Sequence, residues 1–87
     1  MGRRVGLIAG GGDLPRIALE DIRGRGWAAV VAGVRGAADP GLTALGEAFA
    51  WIAPWDVSGL VEFFRRERIT TVYMAGKVDP RAVLETA

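Results

Sequence analysis

The chain alternates between short, largely apolar runs and longer amphipathic segments. Four apolar runs lie at residues 5–9, 28–32, 48–52 and 71–75. The first two runs are typical of strands buried on both faces of a parallel sheet, and the other two are also predicted to be strands. Two further segments, 14–23 and 57–68, repeat their apolar residues with the period of a helix. The order strand, helix, strand, loop, strand, helix, strand predicts an α/β domain with a four-stranded parallel sheet.

Each predicted helix has an apolar face that would pack on the sheet. The first face consists of Leu14, Ile17, Ala18 and Ile22, and the second of Val57, Leu60, Val61 and Phe64, broadened by Phe63. Pro15 fits the first helical turn, where a missing N–H has no cost. The last turn of the second helix is predicted to hold Arg65, Arg66 and Arg68, because cations there complement the helix dipole.

Right-handed crossovers restrict the topology of this sheet. With one helix on each face, the strand order is 3-2-1-4 and the domain has three layers. This order makes the gap between strands one and four a topological switch point, where α/β sheets bind ligands at the carboxyl ends of their strands. Gly10–Gly12 follow strand one and Gly76–Lys77 follow strand four. We therefore expect these two segments to meet.

The glycine triplet and the lysine are the candidate binding residues. Glycine supplies 13 of the 87 residues, and Lys77 is the only lysine. Consecutive glycines before a helix let a phosphate approach, and free backbone N–H groups then point at it. The alternative is a tight strand-to-helix turn without a ligand. We favour ligand contact at Gly10, Gly11 and Gly12, because one glycine would serve for a turn.

Known nucleotide-binding motifs match this turn only in part. The dinucleotide fingerprint has Gly10 and Gly12 but Pro15 at its third glycine position. No acidic residue follows the second strand, which disfavours NAD, whereas Arg35 keeps an NADP-binding interpretation open. A Walker A loop is excluded, because no Gly-Lys-Ser/Thr follows the first strand.

Composition limits the chemistry that the chain can perform. There is no cysteine, no histidine, and a net charge of +1. Cysteine nucleophiles and the commonest general base are therefore missing, and we assign no catalytic or metal-ligating residue. The charge balance and the lack of a basic–aromatic stripe speak against nucleic-acid binding. No apolar run has the length of a membrane span or signal peptide, so we expect a cytoplasmic protein.

Four aspartates have structural interpretations. Asp13, Asp56 and Asp79 each precede a predicted helix and are expected to cap it, and Asp39 lies before Pro40 in a turn. The helix that starts at Asp79 would occupy residues 79–87. An isolated helix of about two turns is only marginally stable, so we expect a domain over residues 1–78, the start of a truncated helix at 79–87, and a further domain beyond it. The alternative is a natural short C-terminal helix that docks on the sheet. Incompletely covered apolar surface favours self-association.

Two motifs resemble a known family. Residues 6–15, Gly-Leu-Ile-Ala-Gly-Gly-Gly-Asp-Leu-Pro, resemble the opening "GLIAGGGxLP" of the UDP-2,3-diacylglucosamine pyrophosphatases of bacterial lipid A synthesis. Residues 74–78, Met-Ala-Gly-Lys-Val, resemble that family's "xAGKV" after a strand. Between them lie Ala38-Asp39-Pro40 and the amphipathic helix 57–68, so the resemblance spans nearly the whole chain.

The resemblance implies a Rossmann-like N-terminal domain of a two-domain, metal-dependent hydrolase. Such enzymes cleave the pyrophosphate of UDP-2,3-diacylglucosamine, releasing UMP and 2,3-diacylglucosamine 1-phosphate, with carboxylates for metal and catalysis largely in a C-terminal domain. By the resemblance, the substrate contacts are Gly10, Gly11, Gly12, Asp13, Leu14, Gly76 and Lys77. It further implies a divalent cation such as Mg²⁺ held outside this chain, a lipid substrate at the inner membrane surface, and a domain that is inactive alone. An assembly module that pairs with another chain is the non-enzymatic alternative.

Overall fold

The structure, a computed structural model, describes residues 2–77. Four strands, two α-helices and one short 3₁₀ helix follow one another along the chain. In order, these elements are strand β1 (Arg4–Ala9), helix α1 (Leu14–Gly24), strand β2 (Ala28–Val34), the 3₁₀ helix (Pro40–Ala44), strand β3 (Ala48–Ile52), helix α2 (Val57–Arg66) and strand β4 (Val72–Ala75). No helix in this part of the chain is both long and apolar enough to cross a membrane. The predicted segment 79–87 lies outside the described residues.

The strands form one parallel sheet in the order β3-β2-β1-β4. The predicted fold class and strand order are therefore confirmed. Helix α1 packs on one face of the sheet and α2 on the other, which we call the α1 face and the α2 face. The switch point between β1 and β4 lies where the sequence predicted it.

The core is centred on β1 and β2. On the α1 face, Leu7 and Val31 pack with Leu19 of α1, and all three are fully buried. On the α2 face, Val30 and Ala32 pack with Phe63 and Phe64. Because each central strand contributes to both clusters, β1 and β2 are buried on both faces, as their uninterrupted apolar runs predicted.

Strand β4 differs from the other strands. Its residues Val72, Tyr73 and Met74 are exposed, with 72% of Met74 accessible to solvent. β4 is an edge strand of the sheet, and of its residues only Ala75 packs against the core on the α1 face within the described chain.

The prediction of the apolar face of α1 is wrong in part. Leu14 and Ile17 are 60% and 58% exposed, whereas Pro15, Leu19 and Ile22 face the core. The two sets lie on adjacent stripes of the helix, centred about 140° apart, and both satisfy the helical period. Packing over β1 and β2 selects the Pro15 stripe, so the Leu14 stripe turns towards the β4 side.

The predicted apolar face of α2 is correct in part, and the helix ends earlier than predicted. Leu60, Phe63 and Phe64 pack in the core on the α2 face as predicted. Val57 and Val61 are exposed, so the prediction is wrong for these two residues. Arg68 lies beyond the helix, with φ of 58°, so only Arg65 and Arg66 occupy its last turn.

Two of the three predicted aspartate caps, Asp13 and Asp56, lie within the described residues, and they behave differently. Asp56 accepts a hydrogen bond from the Gly59 N–H at 2.8 Å, as predicted. Asp13 is already in a helical conformation (φ −90°, ψ −17°) and its side chain makes no capping bond, so that prediction is wrong. An N-cap residue is normally extended, which lets its side chain reach back to the first turn.

This contrast gives a paired test of capping. We expect Asp56→Ala to lower the free energy of unfolding by about 1 kcal/mol, because the Gly59 N–H loses its acceptor. Asp13→Ala should cost less than about 0.5 kcal/mol, since only a charge–dipole interaction is removed. Urea unfolding followed by circular dichroism measures both. Equal losses in the two variants would show that Asp13 caps α1 in solution.

Candidate functional site

The β1–α1 turn is joined directly to the segment after β4. The Gly10 N–H donates to the Ala75 carbonyl at 2.8 Å, and the Gly11 N–H to the Lys77 carbonyl at 2.7 Å. The Lys77 N–H returns a bond to the Gly11 carbonyl at 3.1 Å, closing an antiparallel bridge. The structure thus brings together the glycine triplet and Gly76–Lys77. Their contact with a ligand remains a prediction.

Close backbone approach explains two of the glycines. A Cβ placed on Gly10 would lie 2.6 Å from the Lys77 carbonyl oxygen. A Cβ on Gly76 would lie 2.8 Å from each of the Gly10 carbonyl carbon, the Gly11 oxygen and Pro15 Cγ. Gly76 also has φ of 100°, which side chains rarely allow. Glycine at both positions is therefore required by packing, whether or not a ligand binds.

The hydrogen bonds change which N–H groups a ligand could use. Those of Gly10 and Gly11 are already donated to Ala75 and Lys77. Within residues 2–77, the N–H groups of Gly12, Asp13 and Leu14 donate to no acceptor. They stand at the N-terminus of α1, where the helix dipole favours negative charge. An anion at this turn would therefore meet Gly12–Leu14 first, and the expectation of free N–H groups at Gly10 and Gly11 is wrong.

The loop between β2 and the 3₁₀ helix, residues 35–39, packs against this turn. The position that a Gly11 Cβ would take is 3.2 Å from the Ala37 carbonyl oxygen. Asp39 then holds the loop: it accepts the Gly41 N–H at 2.9 Å and pairs with Arg16 of α1 at 3.2 Å. The hydrogen bond from Gly41, aided by Arg16, lowers the pKa of the Asp39 carboxyl. Asp39 therefore has the structural role that its sequence position predicted.

Two cationic side chains lie at the carboxyl ends of the strands, near the turn and the loop described above. Lys77 follows β4 and is exposed, and Arg35 follows β2 and is also exposed. Both follow parallel strands, so both lie at the edge where such sheets bind ligands. No cluster of three or more Asp, Glu, His or Cys side chains that could hold a metal occurs within residues 2–77.

An apolar groove beside this turn was not predicted. It lies between α1 and β4, has a volume of about 670 Å³, and is lined by Leu14, Ile17, Ala18, Asp21, Met74, Ala75 and Gly76. The sequence feature that indicates this groove is the apolar stripe of α1 that contains Leu14 and Ile17. The sequence pattern predicts this stripe to be core, because periodicity alone does not tell which stripe faces the sheet.

The strand order, with a glycine turn at the switch point between β1 and β4, is that of a small Rossmann-like α/β domain. Comparison with protein families then identifies the family to which this domain belongs. The profile of the LpxI N-terminal domain matches residues 4–87, so the chain belongs to the LpxI N-terminal domain family. Membership connects the chain with lipid A biosynthesis. No curated protein matches the chain.

Proposed function

We propose that this chain is the substrate-binding N-terminal domain of a metal-dependent UDP-2,3-diacylglucosamine pyrophosphatase. The whole enzyme would hydrolyse its substrate to UMP and 2,3-diacylglucosamine 1-phosphate in the cytoplasm, at the inner membrane surface. The observation that carries the proposal is the match to the LpxI N-terminal domain over residues 4–87. The junction of Gly10–Gly12 with Gly76–Lys77 supports it, since both motifs of the resemblance meet in one place.

The binding role follows from the charge of the diphosphate. Its oxygens would accept hydrogen bonds from the N–H groups of Gly12, Asp13 and Leu14 at the start of α1. The Lys77 ammonium adds a mobile positive charge beside them. The bonds from Gly10 to Ala75 at the end of β4 and from Gly11 to Lys77 hold Lys77 next to this turn. Binding and orientation of the phosphates are therefore the contribution of this chain.

The described residues do not fit a divalent cation. Asp39 is engaged by Arg16 and Gly41, and Asp56 by the Gly59 N–H. Within residues 2–77, neither of them nor Asp13 belongs to a group of three or more Asp, Glu, His or Cys side chains that could hold a metal. The proposal therefore assigns the metal ligands and the hydrolytic groups to a C-terminal domain outside this chain, and it expects no hydrolysis by the chain alone.

Calorimetric titration of the 87-residue chain with UDP tests the binding role. We expect Lys77→Ala to weaken UDP binding about tenfold, because a hydrogen bond to a charged group contributes about 1.5–3 kcal/mol. Arg35→Ala should leave UDP affinity unchanged and serves as the matched control, since it removes a cation from the same edge of the sheet. UMP should bind more weakly than UDP, because it lacks the second phosphate.

NADP is the competing ligand in this titration. If the chain binds NADP tightly through Arg35 and shows no heat with UDP or UMP, the dinucleotide alternative is correct and the proposal is wrong. Equal UDP affinity of the parent chain and Lys77→Ala would remove Lys77 from the site while leaving the remaining contacts to be tested.

A further inference from the structure

The apolar groove between α1 and β4 continues along the helix beyond the part described above. The first part, of about 670 Å³, begins at Gly76, at the carboxyl end of β4. A second part, of about 400 Å³, reaches Trp27, which follows α1. The two parts share three lining residues, Ala18, Asp21 and Met74. They therefore form one continuous groove, which we call the α1–β4 groove.

Apolar side chains supply most of the exposed surface of the α1–β4 groove. Leu14 and Ile17 from α1 and Met74 from β4 line it, and each of them is more than half exposed. Among the described residues, the charged side chains that line the groove are Asp21 and Arg25, which pair with each other at 3.0 Å. The groove is therefore apolar and carries no net charge, which suits a hydrocarbon chain.

One end of the α1–β4 groove coincides with the proposed phosphate site. Leu14 offers that site an N–H group that donates to no acceptor within residues 2–77, and its exposed side chain lines the groove. Gly76 also lines the groove, and the next residue, Lys77, carries the ammonium group of the site. Hydrogen-bond donors for an anion and apolar surface are therefore adjacent at the start of α1. This arrangement is complementary to a molecule with a phosphate head and an apolar chain.

From this continuity we infer that the α1–β4 groove binds an acyl chain of the lipid substrate while the diphosphate of the same molecule lies at Gly12–Leu14. The inference rests on the proposed function, which supplies an anionic, acylated ligand but assigns no residue to its acyl chains. Exposed apolar surface of this kind is typical of ligand grooves and protein interfaces. A protein segment in the groove would have no need of anion donors at one end, whereas an acylated phosphate uses both features.

Octyl phosphate and ethyl phosphate test the groove, because they share a phosphate head and differ only in the length of the apolar chain. We expect the 87-residue chain to bind octyl phosphate at least about tenfold more tightly than ethyl phosphate. Full burial of a methylene group raises affinity about fourfold, and an open groove that covers half of it raises affinity about twofold. Calorimetric titration below the concentration at which octyl phosphate forms micelles measures both affinities.

Two substitutions locate the bound alkyl chain. Ile17→Gln should weaken octyl phosphate binding at least about threefold, because it removes apolar surface from the groove. Val61→Gln is the matched control, since Val61 is an exposed β-branched residue of α2 that lies outside the groove. It should bind octyl phosphate as the parent chain does. Neither substitution changes the charge of the chain, and both lie at exposed helical positions where glutamine is well tolerated.

The outcomes separate this inference from the proposed function. Equal affinities for octyl and ethyl phosphate overturn the inference and leave the groove to a protein segment, while UDP binding by the same chain keeps the proposed function in place. A preference for octyl phosphate that changes equally in Ile17→Gln and Val61→Gln, or in neither, also overturns it, because the alkyl chain then binds elsewhere. If the preference depends on Ile17 but UDP does not bind, the groove keeps its apolar ligand and the uridine part of the proposed function is wrong.

Discussion

Replacing Gly76 with alanine is expected to lower the free energy of unfolding by about 3 kcal/mol, the sum of left-handed backbone strain and overpacking. The added methyl group would meet the Gly10 and Gly11 backbone and the Pro15 ring, each at 2.8 Å. Backbone atoms and a proline ring cannot move aside as a flexible side chain could. A chain of this size has a total stability of about 4–13 kcal/mol, so the loss is a large fraction of it.

Gly12→Ala is the matched control for this variant. Gly12 also has a positive φ, of 83°, but a Cβ there would meet nothing within 4 Å. Gly12→Ala should therefore lower the free energy of unfolding only by the cost of the left-handed backbone conformation, about 1–2 kcal/mol. Denaturant unfolding measures the free energy of unfolding of both variants, and the difference between their losses is the cost of the close contacts at Gly76. If the two losses are equal, the close approach of the β1–α1 turn to Gly76 is not present in solution.

The Gly76 variant should also separate stability from binding. Contact between the two segments places Lys77 next to the start of α1 through the Gly11–Lys77 bridge. Where Gly76→Ala still folds, we expect UDP affinity to fall at least as far as in Lys77→Ala. Arg35→Ala leaves that bridge in place, so its affinity should stay close to that of the parent.

Replacing Leu19 with alanine is expected to lower the free energy of unfolding by about 2–5 kcal/mol. Leu19 lies on the side of α1 that faces the sheet, is fully buried, and belongs to the core cluster on the α1 face. The surrounding β1 and β2 backbone is held by hydrogen bonds on both sides, so the cavity cannot close fully. At the lower end of the stability range for this size, the variant would be partly unfolded at room temperature.

Leu14→Ala removes the same atoms from the same helix at an exposed position. It should change the free energy of unfolding by no more than about 0.5 kcal/mol, because 60% of Leu14 is accessible to solvent. The pair of variants reports which stripe of α1 faces the sheet. A larger loss in Leu14→Ala than in Leu19→Ala would restore the face expected from periodicity and contradict the packing described above.

The candidate site was predictable in its location more than in its chemistry. Strand order and crossover handedness were enough to bring Gly10–Gly12 to Gly76–Lys77, since parallel strands end at a common edge. The donors available to a ligand were not predictable. Gly10 and Gly11 give their N–H groups to residues from the other end of the sequence, and local sequence carries no sign of such partners. The N–H groups that an anion could use are therefore those of Gly12, Asp13 and Leu14.

The sequence by itself determined the fold class, the order of the strands and the meeting place of the two glycine segments. These follow from local periodicity and from the chirality of the chain, which every segment carries with it. Only the tertiary structure decided which stripe of α1 is buried, that β4 is exposed, and that close backbone contact requires glycine at positions 10 and 76. Each of these depends on which surfaces come into contact, and two stripes with the same period become distinct only when the sheet covers one of them.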